Sequence, residues 1–188
     1  EYSVTMTGLQ PALGAGFGCG TIVGMDSLRP RRSVLFMPGA NARALEKARS
    51  IDCDGIIIDL EDAVAPDLKV EARERTAGVV RGHPYGYREV AIRVNGMDTQ
   101  WYHDDLAAAV AAGPDAIAVP KVGSAEHVHA IVADMEAAGA DESVKLWAMI
   151  ETPRAVLDCL DIAEASDRLT VLIMGTNDLT KELRASHV

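Results

Sequence analysis

Short runs of apolar, often β-branched residues punctuate this chain from Arg32 onward. Between them lie stretches with the three-to-four-residue spacing of amphipathic helices. The runs predict strands over 33–37, 55–60, 89–94, 115–120, 145–150 and 170–174. The intervening stretches predict helices over 41–50, 67–81, 101–112, 124–138, 153–165 and from about 178. Regular alternation of strand and helix is the pattern of βα units around a parallel sheet. The strands are largely apolar rather than alternating, which fits a sheet covered on both faces. Local chemistry agrees. Asp54-Gly55 and Gly113-Pro114 mark turns that lead into strands, Ser124 suits the start of a helix, and Pro153 suits a first helical turn.

The polar residues that matter sit where the apolar runs end: Asp59-Leu60-Glu61-Asp62, Arg93-Val94-Asn95, Glu151, and Asn177-Asp178. In a parallel α/β protein the C-terminal ends of the strands share one face, and ligands bind there. Contributions from several strand ends favour a barrel, which gathers residues around a ring, over a doubly wound sheet, which uses one crevice. The expected fold is therefore α/β, a (β/α)8 TIM barrel truncated after about six βα units, since a complete barrel takes about 250 residues. Residues 31–188 form this partial barrel domain. Residues 1–30, rich in Gly, Thr and Pro, are expected to be a flexible leader. Within them, Gly14-Ala15-Gly16-Phe17-Gly18-Cys19-Gly20 is a weak match to a phosphate loop, because no convincing strand precedes it.

Charge narrows the partners. The formal net charge is −10, which opposes nucleic acid and anionic membranes. No apolar run approaches the ~20 residues of a membrane helix. One basic cluster, Arg29, Arg31 and Arg32 followed by Arg43 and Lys47, could still receive a small polyanion. Cys19, Cys53 and Cys159 are too few and too scattered for a zinc site or a disulfide framework, so a reducing cytoplasm is the expected setting.

Glu151 and Asp178 are the candidate metal ligands, because paired carboxylates at strand ends suit a hard cation such as Mg²⁺. Their bland alternative is stabilisation of helix N-termini. Arg93 can hold an anionic oxygen through its donor fork, or pair with an acid such as Glu61. On an extended segment Glu61 shares a side with Asp59, while Asp62 faces away until the chain turns. Glu61 and Asp62 are expected to reach metal-bound waters, or else to serve capping and turn formation before Pro66. Lys121 ends the fourth strand and could form a Schiff base or, more simply, support an acidic site. The five histidines are scattered and offer no metal pair.

At these residues the sequence resembles the HpcH/HpaI aldolase and citrate lyase superfamily, specifically the citrate lyase β-subunit-like CoA-ester lyases. The stretches that carry the resemblance are Arg32–Gly39, Asp59–Val64, Arg93–Asn95, Pro120–Val122, Ile150–Thr152 and Gly175–Leu179, in family order. The resemblance implies a barrel that assembles as a homotrimer or homohexamer and binds Mg²⁺ and a CoA-thioester substrate. It implies Glu151 and Asp178 as metal ligands, with Arg93 and Glu151 touching substrate. Phe36, Arg43 and Lys47 would lie near the thioester or its phosphates, and Arg93, Glu61 and Asp62 form the catalytic set. Two departures stand out: Asn177 replaces an acid common in relatives, and the strands and C-terminal segment that relatives use to complete the site are absent. The activity this implies is Mg²⁺-dependent carbon–carbon cleavage of a malyl-, citramalyl- or citryl-CoA-type thioester to acetyl-CoA and an oxoacid. The alternatives are malyl-CoA thioester hydrolysis, a CoA-independent pyruvate-type aldolase, and a non-catalytic fragment.

Overall fold

A computed structural model describes residues 6–8 and 29–186. The Gly-rich stretch 14–20, Cys19 and most of the expected leader lie outside the described residues. Six parallel strands alternate with helices in chain order: β2 (Val34–Pro38), α1 (Ala42–Ala48), β3 (Gly55–Asp59), α2 (Lys69–Arg81), β4 (Glu89–Arg93), α3 (Tyr102–Ala112), β5 (Ala116–Val119), α4 (Ala125–Ala137), β6 (Lys145–Ile150), α5 (Pro153–Leu157), α6 (Cys159–Glu164), β7 (Leu169–Met174) and α7 (Thr176–Glu182). A short 3₁₀ turn, Pro66–Leu68, precedes α2. A further strand, β1 (Met6–Gly8), pairs antiparallel with β7, within the stretch the sequence reading leaves without strands.

The sheet order is β1-β7-β6-β5-β4-β3-β2. Parallel strands therefore follow one another without the reversal that defines a doubly wound sheet. Each right-handed crossover then leaves its helix on the same side of the sheet. This is the wall of a (β/α)8 barrel, carrying six of its βα units. Among the described residues the sheet is open, ending at β2 on one side and β1 on the other.

Two cores result. Alternate residues of the strands, such as Ile56, Ile58, Ile92, Ile117 and Leu146, pack outward against Leu45, Val80, Leu106, Ile131 and Ile162 of the helices. The other face carries Val34, Ile57, Ala91, Ala116, Ala118, Trp147, Met149, Val171 and Ile173. Three alanines on β4 and β5 leave room there for the fully buried Trp147, whose register neighbour is Ala118.

Caps set the helix ends. Asn41 Oδ1 accepts from Ala44 N–H, Ser124 from His127 N–H, and Thr152 from Ala155 N–H. Gly113 closes α3 at φ 68°, a left-handed conformation that glycine adopts without strain. The single helix predicted over 153–165 is broken. Asp158 leaves helical dihedrals (φ −94°, ψ 11°) and separates α5 from α6, in keeping with the competition of Asp side chains with helix backbone.

The basic cluster read from the sequence is also divided. Arg29, Arg31 and Arg32 lie before β2, at the N-terminal pole of the sheet, and each is paired with an acid at the entry of another strand. Arg29 meets Asp115, Arg31 grips Glu89 with two hydrogen bonds of 2.6 and 2.8 Å, and Arg32 grips Asp54. Adjacent positions in the sequence thus serve three separate strands instead of one anion. Arg43 and Lys47 remain exposed on α1.

Ile57 sits in the middle of the inner face with no exposed surface. Its replacement by Ala leaves a cavity that the flanking strands cannot close. The expected loss is about 2–5 kcal/mol of folding stability, measured as a lower urea midpoint at unchanged slope.

Candidate active site

The reactive groups gather at the C-terminal ends of β3, β4 and β6 and in the turns that follow. Asp59 and Arg93 are direct register neighbours at the last positions of β3 and β4. Asp59 accepts from Arg93 Nε at 2.7 Å and from Nη2 at 2.6 Å, and both residues are buried. Asp59 also accepts the N–H groups of Glu61 and Ala63, at 2.8 and 3.0 Å. The turn after β3 is therefore wound around the same carboxylate that fixes the guanidinium.

With two nitrogens held by Asp59, Arg93 presents Nη1 to the remaining groups. Glu61 Oε2 lies 2.7 Å away and Asp62 Oδ2 3.6 Å away. The Glu61 contact is close in charge but outside hydrogen-bonding alignment, so this buried oxygen has no hydrogen-bond partner. The Phe36 ring lies 5.2 Å beneath the guanidinium, in cation–π range. Burial lowers the affinity of Arg93 for its proton, but the hydrogen bond and charge of Asp59 outweigh it, and the net shift is upward.

One guanidinium shared by two buried carboxylates leaves negative charge in excess. Glu61 shows the consequence: its carboxyl is pushed up to about 7, first by burial and then by Asp62 and Glu151, against the pull of Arg93. Lys121 Nζ stands 3.7 Å from Glu61 Oε1. Burial lowers the proton affinity of Lys121, yet Glu61, Asp178, Asp62 and Glu151 together raise it. A Schiff-base lysine needs the opposite shift, so the electrostatics support the ammonium form.

Glu151 follows β6 directly and is buried. Its Oε2 accepts the Lys121 backbone N–H at 2.8 Å. That N–H is aimed by a left-handed backbone at Lys121 (φ 55°), an uncommon conformation for a residue with a side chain. Gly175 packs so tightly against the Glu151 carboxylate that a methyl group there would overlap it. Burial raises the Glu151 carboxyl, Asp178 adds to the rise, and the Lys121 N–H and Arg93 oppose it. Asp178 is half-buried in the first turn of α7.

The structure thus brings Phe36, Asp59, Glu61, Arg93, Lys121, Glu151 and Asp178 to one pole. Asp62 joins them with most of its side chain exposed. Arg43 and Lys47 stand apart on α1, paired with none of these groups. Among the described residues no group of three or more His, Cys, Asp or Glu is arranged as a complete metal site. Asp59 joins this cluster through its pairing with Arg93, although the sequence reading assigns it no role. Its signal was register, since only the strand alignment shows that it faces Arg93.

The Asp59–Arg93 pair has a measurable signature. Asp59→Asn should cost about 3–5 kcal/mol, because it strands a buried guanidinium. Adding Arg93→Met should cost less than the two single changes summed, when the variants are unfolded in urea. A second expectation concerns pH in metal-free protein. The folded state holds the Glu61 proton more tightly than the unfolded chain, whose carboxyl titrates near its ordinary value. Stability should therefore fall as pH rises through the interval from about 4.5 to about 7, then level off. Glu61→Gln should flatten that slope.

A family model described as HpcH/HpaI aldolase/citrate lyase matches residues 32–188. The chain is 50% identical over 154 residues to a (3S)-malyl-CoA thioesterase of Cereibacter sphaeroides, covering 82% of this chain and 52% of that protein. It is 35% identical over 161 residues to the citrate lyase subunit beta of Escherichia coli, covering 83% and 53%. Among solved structures, the citrate lyase beta subunit of M. tuberculosis complexed with oxaloacetate and magnesium superposes with a TM-score of 0.64 at 28% identity, covering 82% and 62%. The chain spans about half the length of the curated relatives it matches.

Proposed function

The chain belongs to the HpcH/HpaI aldolase/citrate lyase family, and on that premise we propose that it forms the Mg²⁺-binding and substrate-orienting part of an enzyme acting on a malyl-CoA-type thioester. The observation that carries this reading is the charge of the site. Five carboxylates gather at the strand ends, Asp59, Glu61, Asp62, Glu151 and Asp178, against three cations, Arg93, Lys121 and Lys69.

The donor set fits a hard cation. Mg²⁺ takes oxygen ligands and is commonly held by one or two carboxylates with waters and substrate oxygens completing the shell. Glu151, fixed by the Lys121 N–H and by close packing on Gly175, and Asp178 on α7 are the residues that would hold it. The solved relative complexed with oxaloacetate and magnesium supports a magnesium ion in this family. When bound, the ion supplies Lewis-acid polarisation of the hydroxyl and carboxylate oxygens of the substrate.

The remaining steps belong to the chain's own groups. Arg93 Nη1 donates to the oxygen on which negative charge develops, a placement that lowers a barrier because the donor is fixed beforehand. Asp59 prevents the guanidinium from reorienting. Glu61 and Asp62 lie against the same Nη1, and the Lys121 ammonium stands 3.7 Å from the far oxygen of Glu61. Phe36 forms the floor beneath Arg93. Arg43 and Lys47, exposed on α1 and apart from the other groups, are the cations this reading assigns to the phosphates of CoA.

The bond that breaks is read from the relatives. The 50% identity to a malyl-CoA thioesterase favours hydrolysis: water oxygen adds to the thioester carbonyl carbon, the C–S bond breaks, and malate and free CoA leave. Carbon–carbon cleavage, the first reading from sequence, is the second here, supported by the citrate lyase subunit. In that case the hydroxyl loses its proton, the bond between its carbon and the thioester α-carbon breaks, and the acetyl-CoA enolate takes up a proton.

Incubation of the protein, at its full encoded length, with β-hydroxyacyl-CoA thioesters separates the two. Hydrolysis of malyl-CoA should give malate and free thiol in equal amounts, abolished by EDTA and restored by Mg²⁺. Acetyl-CoA with an oxoacid would shift the reading to the lyase. Glu151→Gln should lose the Mg²⁺-dependent rate in either case. No turnover of any CoA ester by folded, Mg²⁺-binding protein would overturn the proposal.

A further inference from the structure

Lys69 begins α2 and is 5% exposed. Its ammonium donates three hydrogen bonds of 2.7 Å each, to Leu60 O, Glu61 O and Asn95 Oδ1. An ammonium has three donors, so all are spent. None of the acceptors is a carboxylate. Burying a charge without a bonded counter-ion is costly, and a Leu or Met at this helix position would fill the space more cheaply. The charge therefore needs a purpose other than packing.

The purpose is visible in what is held. Leu60 O and Glu61 O belong to the peptide groups on either side of the Glu61 Cα. Gripping both fixes the direction in which the Glu61 side chain leaves the backbone. Asn95, beyond the end of β4, completes the clamp: its Nδ2 donates to Leu60 O at 3.0 Å while its Oδ1 receives Lys69. Asn95 is held in turn by the fully buried Asp105, which accepts its backbone N–H at 3.1 Å and also its side-chain amide. Arg73 secures Asp105 from α2 at 2.6 Å. The Trp101 ring lies 5.3 Å from the Lys69 ammonium and covers it. This relay runs from two helices to the backbone of Glu61, and its side chains form no hydrogen bond or ion pair with Arg93, Lys121 or Glu151.

We propose that Lys69 is a positioning residue for the reaction, acting through Glu61 by locking the backbone that aims the Glu61 carboxyl at Arg93 and Lys121. Its kinetic consequence rests on the function proposed above; its geometric consequence does not. Both are read from Lys69→Met in the protein at its full encoded length. A crystal structure of the variant should show the Glu61–Arg93 Nη1 separation increased from 2.7 Å by about 1 Å, a displacement that costs up to about a hundredfold in rate. Turnover of malyl-CoA should fall at least about tenfold in kcat with KM little changed. The Lys69→Met, Glu61→Gln double variant should be no slower than Glu61→Gln alone, because a residue acting through another adds nothing once that other is gone. A Glu61 carboxyl found unmoved, or losses that multiply in the double variant, would overturn the proposal. If Lys69→Met does not fold, Asn95→Ser removes one acceptor of the clamp and leaves the ammonium in place, and is read in the same two ways. Wild-type protein that turns over no CoA ester would sink the proposed function, while the crystal structure would still decide the role of Lys69.

Discussion

The two hydrogen bonds between Asp59 and Arg93 are the constraint on which the site depends. They join the final residues of adjacent parallel strands, so they can form only when β3 and β4 are in register. Once formed, they determine much else. Asp59 has oxygens enough left to gather the Glu61 and Ala63 N–H groups and shape the turn. Arg93 has one nitrogen left, and that nitrogen faces Glu61. A buried arginine balanced by a single aspartate would be electrically closed. Adding Glu61 crowds a second buried carboxyl against the same guanidinium, and burial pushes its pKa up to about 7.

Much of this was legible in the sequence because it is written in local terms. Strand and helix follow from periodicity, and the observed strands fall within a residue or two of the predicted ones. Glu151 stands out because a charged residue directly after a run as apolar as Leu146–Ile150 has few reasons to be there. A barrel, in preference to a doubly wound sheet, follows from reactive residues at several strand ends, and the monotonic strand order agrees with it.

What was hidden depends on contacts between distant positions. The Asp59–Arg93 pairing requires the register of two strands. The basic residues before β2 read as one patch along the chain, yet each meets an acid at a different strand entry. The pairing of Met6–Gly8 with β7 joins segments more than a hundred residues apart. Lys69 carries no signal in the sequence beyond its place in the predicted helix over 67–81. Nothing in its neighbours shows that three acceptors converge on it.

The ion pairs at the N-terminal pole give the molecule a second character. A single short segment, Arg29 to Arg32, fastens the entries of three successive strands, and none of those contacts lies among the reactive groups. Alignment of the sheet is thereby entrusted to one pole and chemistry to the other. Loops on the reactive side can be rewritten over evolutionary time without loosening the seam that keeps the strands in step. In a scaffold divided in this way, a change at the reactive pole leaves the entries of the strands fastened.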